Sequence, residues 1–365
     1  MQSNMSRDNK VLVAMSGGVD SSVAAYLLKK KGYEVIGATM CFGLSDREGN
    51  RPSCCSESGI KDAKTVAESL GIPHYTMSFG MYLKQYVIRD FLNQYLRANT
   101  PNPCIRCNQY LKFNVLWQKA KALGCNYLAT GHHARIIYDN NRKEFLLKKA
   151  TDKTKDQSYF LYRIPRHMLQ HVIFPVGDLV KQEIRAIARK NKISVADKPA
   201  SQDICFIATR DYRHFIIDKI GSRVLNPGPI RNINGQIIGQ HKGIALYTIG
   251  QRHGLGIAHS QPLYVIKLDV KNNEVIVGEK KDIFSKKFIA KQLHLLVKIK
   301  TKKLAVEAVI RYNHPQSPAR LRFISNNRVE VEFRQLQPAV TPGQSVVFYD
   351  HDIVIGGAII EKVLD

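Results

Sequence analysis

Residues 16–22 read Ser-Gly-Gly-Val-Asp-Ser-Ser, directly after the apolar run Val11-Leu12-Val13-Ala14-Met15 and before a helix-forming stretch. Backbone N–H groups, small hydroxyls and a helix N-terminus at that spacing make a nest for a pyrophosphate. The lysine of the common phosphoryl-transfer loop has no counterpart inside this one. A loop of that kind suits reactions in which pyrophosphate departs and the α-phosphorus of ATP is attacked, leaving AMP on a substrate. Asp20 is placed to hold a magnesium ion there or to act as an acid or base. The plainer alternative is a glycine turn that merely joins strand to helix.

A second set is made of thiols. Cys104 and Cys107 lie in Thr-Pro-Asn-Pro-Cys-Ile-Arg-Cys, which reads as a rigid loop presenting both cysteines ahead of a helix, and Cys205 follows about a hundred residues later in Ser-Gln-Asp-Ile-Cys-Phe-Ile. A helix N-terminus and Arg106 both favour a reactive thiolate. Cys41 and Cys125, both expected at strand positions, are assigned to the core as small hydrophobes. Cys54 and Cys55 are read as loop residues without a role. Seven cysteines, an odd number, in a 365-residue chain opening on a polar segment argue against a structural disulfide framework. Neither an export signal nor a run of about eighteen apolar residues is visible, so a cytoplasmic location and no membrane are expected.

Alternating strand and helix patterns must position these residues. Strand 10–15, the loop, a helix ended by Gly32, a strand to Met40, a helix near 58–70, the strand from His74, a helical stretch over 81–97 and a strand over 126–131 predict a parallel sheet covered on both faces. Ligands of such sheets bind in the loops after the strands. Past about residue 210 short apolar runs alternate with Gly and Asn, and from 286 onward period-two alternation with an Asn326-Asn327 turn predicts a small hairpin-built barrel or sandwich. The expected organisation is a 1–210 α/β nucleotide-binding and catalytic domain, a 211–285 β-rich domain, and a 286–365 β-barrel. The formal net charge of +25, from 55 Lys and Arg against 30 Asp and Glu, points to a polyanionic partner.

SGGVDSS resembles the motif of the PP-loop ATP pyrophosphatases. Together with PNPCIRCNQYLKF, ATGHHAR, KDQSYFLYRI, SQDICFI, GQRHGLGI and RYNHP, in this order over nearly the whole chain, it is similar to the tRNA-specific 2-thiouridylase family. The resemblance implies ATP-dependent replacement of the C2 oxygen of the wobble uridine by sulfur in tRNAs for Lys, Glu and Gln. It implies Cys205 as persulfide carrier and Cys107 as the other catalytic cysteine, with a transient Cys107–Cys205 disulfide and, as sulfur donor, a cysteine desulfurase or a sulfur-relay protein. It implies ATP contacts from Ala14, Met15, Ser16, Gly17, Gly18, Val19, Asp20 and Ser21, from Met40 and from Gly131. Contacts with tRNA are implied for Asn102, Pro103, Cys104, His132, Lys155, Asp156, Gln157, Arg311, Tyr312 and Gln344. Many members carry Asp where this chain has Cys104, so a competing disulfide, or a zinc or iron–sulfur site on Cys104, Cys107 and Cys205, stands as the alternative to a two-thiol mechanism. Two rival functions remain from the residues alone: a synthetase adenylating a small carboxylate or carbonyl, and an RNA-binding protein using ATP only as a ligand.

Overall fold

The computed structural model describes residues 9–44, 57–199, 204–207 and 211–364. Cys54 and Cys55 lie outside the described residues. The chain divides into two compact units, one of residues 1–87, 104–208 and 352–354, the other of residues 88–103, 209–351 and 355–365.

In the first unit, β1 (Lys10–Ala14), α1 (Val19–Lys30), β2 (Glu34–Cys41), α2 (Glu57–Ser69) and β3 (His74–Ser78) follow one another as the periodicity predicts. A turn of helix at Gly80–Leu83 and a second at Pro103–Arg106 precede α3 (Trp117–Ala122) and β4 (Tyr127–Thr130). A hairpin of β5 (Ala134–Asp139) and β6 (Glu144–Lys149), the two-residue β7 (Val172–Ile173) and α4 (Lys181–Lys190) complete it. The sheet is parallel, in the order β3-β2-β1-β4-β7. Val11, Leu12 and Val13 of β1 are fully buried, as a central parallel strand covered on both faces requires. Small residues on one side of α1, Ser21, Ser22, Ala24 and Ala25, are buried with Val23 and Leu28 in the same core. They let the helix lie close over the strand that feeds it. The helix ends with the N–H of Tyr33 donating to the carbonyl of Leu28 at 3.1 Å, past Gly32.

Local departures from expectation have local causes. Pro103 opens a helical turn instead of ending a loop, since a proline costs nothing at a first helical position. Cys104 and Cys107 are therefore inside a helical segment, which from Cys107 to Leu116 is wound in the wide i→i+5 manner. The β5–β6 hairpin falls where no strand was expected. Its strand β5 leaves Ile137 and Tyr138 exposed, so alternation is blurred there. Cys125 is buried but precedes β4 by two residues, and Cys41, the last residue of β2, is only half-buried.

The second unit begins, past the short helix Arg89–Leu96, with α5 (Tyr212–Ile220), capped by Asp211, whose carboxylate accepts from the N–H of Arg213 at 3.0 Å. This helix stands where only β structure was expected. A four-stranded sheet follows, from β8 (Gly228–Asn232), β9 (Ile237–His241), β10 (Tyr264–Asp269) and β11 (Glu274–Gly278), in the order β10-β11-β8-β9. Last come β12 (Phe284–Leu295), β13 (Lys303–Val309), β14 (Ser317–Ser325), β15 (Arg328–Pro338), β16 (Ser345–Asp350) and β17 (Ile353–Val363). They run in the order β12-β15-β14-β13-β16-β17, and pairing of β12 with β17 closes them into an antiparallel barrel. The two-residue turn at Asn326-Asn327 joins β14 to β15 as the sequence signals.

Candidate nucleotide and thiol site

The loop between β1 and α1 is built by hydrogen bonds among its own short side chains. Ser21 Oγ accepts from the N–H of Ser16 at 3.2 Å and donates to the carbonyl of Gly18 at 3.0 Å. The hydroxyl of Ser22 also donates to that carbonyl at 3.0 Å. Thr39 of β2 donates to the carbonyl of Met15 at 2.8 Å, tying the loop's start to the next strand. The remaining N–H groups of the first turn of α1 have no intrahelical acceptor by construction, and they carry the positive end of the helix dipole.

Two glycines keep the loop open. Gly17 adopts φ +70°, and a Cβ there would stand 2.2 Å from the carbonyl oxygen of Gly59. At Gly131, after β4, a Cβ would stand 2.5 Å from the nitrogen of Ser21 and 2.7 Å from the carbonyl carbon of Asp20. The end of β4 thus lies directly against the first turn of α1, and a side chain there would occupy the cradle's wall.

Asp20 has two cationic or ring partners. Lys181 Nζ donates to its Oδ1, and His133 Nε2 lies 3.3 Å from the same oxygen. Burial alone would raise the Asp20 carboxyl, but the hydrogen bonds from His133 and Lys181 outweigh it and hold the group below its ordinary value. Both partners are fixed from behind. The N–H of Lys181, first residue of α4, donates to Asp152 Oδ2 at 3.0 Å, and the other oxygen of Asp152 takes the N–H and hydroxyl of Thr154 at 3.0 and 2.7 Å. These hydrogen bonds, those of Thr154 and Lys181 foremost, lower the Asp152 carboxyl. The N–H of His133 donates to Gln157 Oε1 at 3.0 Å, and its carbonyl accepts from the N–H of Gln157 at 2.8 Å.

Residues expected to meet tRNA take up varied positions. His132 is buried, its ring beside Phe113 and Phe174, with Nδ1 2.6 Å from the Thr130 hydroxyl and Nε2 3.2 Å from Lys112 Nζ. Burial first, then the charge of Lys112, holds that imidazole neutral, well below the usual range. Asp156 caps its own loop, accepting from the N–H of Ala150 at 2.9 Å and the hydroxyl of Ser158 at 2.7 Å. Lys155 is exposed beside it. In the second unit Asn102 is half-buried and Pro103 buried, Arg311 and Tyr312 are exposed, and Gln344 donates to the carbonyl of Thr100 at 3.0 Å. Cys104 is exposed, and Cys107 and Cys205 are half-buried; all three belong to the first unit. Phe206 and Ile207, directly after Cys205, are buried. Met40 lies half-buried at the end of β2. Among the described residues, no group of three or more His, Cys, Asp or Glu is arranged to hold a metal ion, and no helix is long and apolar enough to cross a membrane.

Lys181 and His133 were missed from the sequence. His133 sits in the quoted Gly-His-His motif, where only its neighbour was singled out. For Lys181 a signal existed: a lysine at the first position of a helix opposes the helix dipole, so its presence asks for a carboxylate nearby.

The sheet order and the lysine-free glycine loop ahead of α1 define an α/β domain of the PP-loop ATP pyrophosphatase class. Three family models match in series: "tRNA methyl transferase HUP domain" over 9–209, "tRNA methyl transferase PRC-barrel domain" over 213–279 and "Aminomethyltransferase beta-barrel domain" over 285–360. Over 365 residues the chain is 47% identical to tRNA-specific 2-thiouridylase MnmA 2 of Thermoanaerobacter sp. (strain X514), covering 99% of this chain and 100% of the relative. It is 45% identical over 364 residues to tRNA-specific 2-thiouridylase MnmA of Natranaerobius thermophilus, covering 98% and 99%. To the MnmA of Clostridioides difficile (strain 630) it is 44% identical over 365 residues, covering 99% and 100%. The chain belongs to the tRNA-specific 2-thiouridylase family.

Proposed function

We propose that this protein is a tRNA-uridine 2-sulfurtransferase: it adenylates the C2 oxygen of the wobble uridine in tRNAs for Lys, Glu and Gln, then replaces that oxygen by sulfur from a cysteine persulfide. The observation that carries the proposal is the glycine cradle of residues 16–21, walled by Gly131 and lacking a phosphoryl-transfer lysine, in the same unit as Cys107 and Cys205. The urea-like C2 carbonyl cannot expel oxide. Attack of that oxygen on the α-phosphorus releases pyrophosphate and converts the oxygen into part of AMP. ATP would be held by the first-turn N–H groups of α1, with Met40 and Gly131 assigned as further contacts. Asp20 would hold the magnesium ion that accompanies ATP, neutralising phosphate charge as it does so.

Sulfur transfer then needs two thiols. The terminal sulfur of a Cys205 persulfide attacks C2 and AMP leaves. The Cys107 thiolate next attacks Cys205 Sγ; the S–S bond breaks toward the sulfur held on C2, giving the thiocarbonyl and a Cys107–Cys205 disulfide. A thiol reductant returns both cysteines, and a separate sulfur donor reloads Cys205. The family-model descriptions speak of methyl transfer, but a methyl donor chemistry has no use for a pyrophosphate cradle or for paired thiols. The +25 charge supports a tRNA substrate, with Asn102, Pro103, Cys104, His132, Lys155, Asp156, Gln157, Arg311, Tyr312 and Gln344 as the residues assigned to it. For His132 and Asp156 the assigned role is to shape the loops that meet RNA, given their burial and internal hydrogen bonds.

The test is nucleoside analysis of unmodified tRNA incubated with enzyme, ATP and a persulfide donor. Wild type is expected to form 2-thiouridine, and Cys107→Ser and Cys205→Ser to form at least about 1,000-fold less, as for loss of a nucleophile, while pyrophosphate is still released by both. Full thiolation by either variant would exclude the two-thiol route.

A further inference from the structure

The assigned residues leave one half-buried cation beside the cradle unused. Lys181 reaches the first turn of α1 from α4, 161 residues away in sequence, and ends on Asp20 Oδ1. Its side chain is 14% exposed. An ammonium partly withdrawn from water, at the start of a helix whose dipole repels it, calls for an anion nearby. Asp20 supplies one negative charge. The clamp from Asp152 to the N–H of Lys181, and the second clamp in which the N–H of Val180 donates to Glu183 Oε2 at 2.8 Å, fix where the side chain starts. A merely structural bridge between two helices would not need the lysine at the one place where a polyphosphate is to be held.

We infer that Lys181 is a catalytic residue of the adenylation step, its ammonium contacting the departing pyrophosphate and so replacing, from a distant helix, the lysine that the loop itself lacks. The inference rests on the function proposed above. In the step concerned, the bond from uracil O2 to the α-phosphorus forms as the bond from that phosphorus to the bridging oxygen breaks. The electron pair stays on pyrophosphate, and the N3 proton of the base passes to solvent. Charge therefore grows on the leaving group, where a preorganised cation acts most strongly. In the nucleotide-free protein Asp20 keeps the ammonium aimed at the cradle, and His133, 3.3 Å from the same oxygen, keeps the carboxylate from turning away.

The experiment compares Lys181→Gln and Lys181→Arg with wild type, following tRNA-dependent pyrophosphate release at saturating ATP in the presence of a persulfide donor, ATP affinity by equilibrium binding, and thermal melting. Gln retains a donor for Asp20 but no charge; Arg retains the charge. Expected are a fall of about 100- to 1,000-fold in turnover for Lys181→Gln, a change in ATP affinity smaller than about tenfold, an unchanged melt, and recovery of most of the loss in Lys181→Arg. Turnover near wild type in Lys181→Gln, or a loss confined to ATP affinity or to melting, overturns the inference. A wild-type enzyme that releases no pyrophosphate with tRNA, ATP and a persulfide donor overturns the functional reading instead, and this one with it.

Discussion

Gly131 shows how one absent side chain can matter as much as a present one. A methyl group at this position would press on the backbone of Asp20 and Ser21, at 2.7 and 2.5 Å, and neither atom belongs to a flexible side chain that could swing aside. Gly131→Ala must therefore push the first turn of α1 away from β4. Overpacking of this kind costs about 1–3 kcal/mol, and the N–H groups proposed to receive phosphate move with the turn. Denaturant melting is expected to show that loss together with an ATP affinity reduced at least about tenfold; a variant with wild-type affinity would separate the glycine from the cradle. The residue scale is also where sequence reading fell short. Asp20 was legible from its loop, but its partners Lys181 and His133 were not, because nothing local in the sequence states which distant lysine a carboxylate will meet.

Elements were legible where their periodicity was undisturbed. The β1–α1–β2 run and the β14–β15 hairpin have clean patterns and strong turn residues, and both formed where expected. The helix α5 was lost in a stretch read by its glycines and asparagines, although Asp211 marks its start. The β5–β6 hairpin was lost because β5 exposes apolar residues. The barrel contains an instructive break in alternation. On β15, Glu330 lies between the buried Val329 and Val331 and is itself covered, with Arg322 donating to both its oxygens at 2.9 and 2.6 Å and Lys287 at 3.2 Å. The Arg322 hydrogen bonds, against the opposing effect of burial, hold its carboxyl below the ordinary value. Both cations are more than a third exposed, so solvent screens them. Glu330→Ala is accordingly expected to cost about 1–2 kcal/mol in denaturant melting at neutral pH, less at high salt. A neutral outcome at low salt would mean that the pairs add nothing to the barrel.

At the scale of the whole molecule, chemistry and charge are distributed differently. The phosphate cradle, the Asp20 cluster and both proposed catalytic cysteines fall in the first unit, whereas basic residues run the length of the chain. Such a distribution suits a large polyanion acted on at one point. Access to a base in an anticodon loop requires drawing it out of its stack, at a cost of a few kcal/mol that phosphate contacts can offset. The central claim is that the uridine's own O2 becomes an oxygen of AMP before sulfur takes its place. It is tested most directly with tRNA carrying oxygen-18 at C2 of the wobble uridine, incubated with enzyme, ATP and a persulfide donor, and mass analysis of the AMP. The account predicts AMP heavier by one oxygen-18, in equal amount to the 2-thiouridine formed. Unlabelled AMP with full thiolation, the label appearing in water instead, would contradict it.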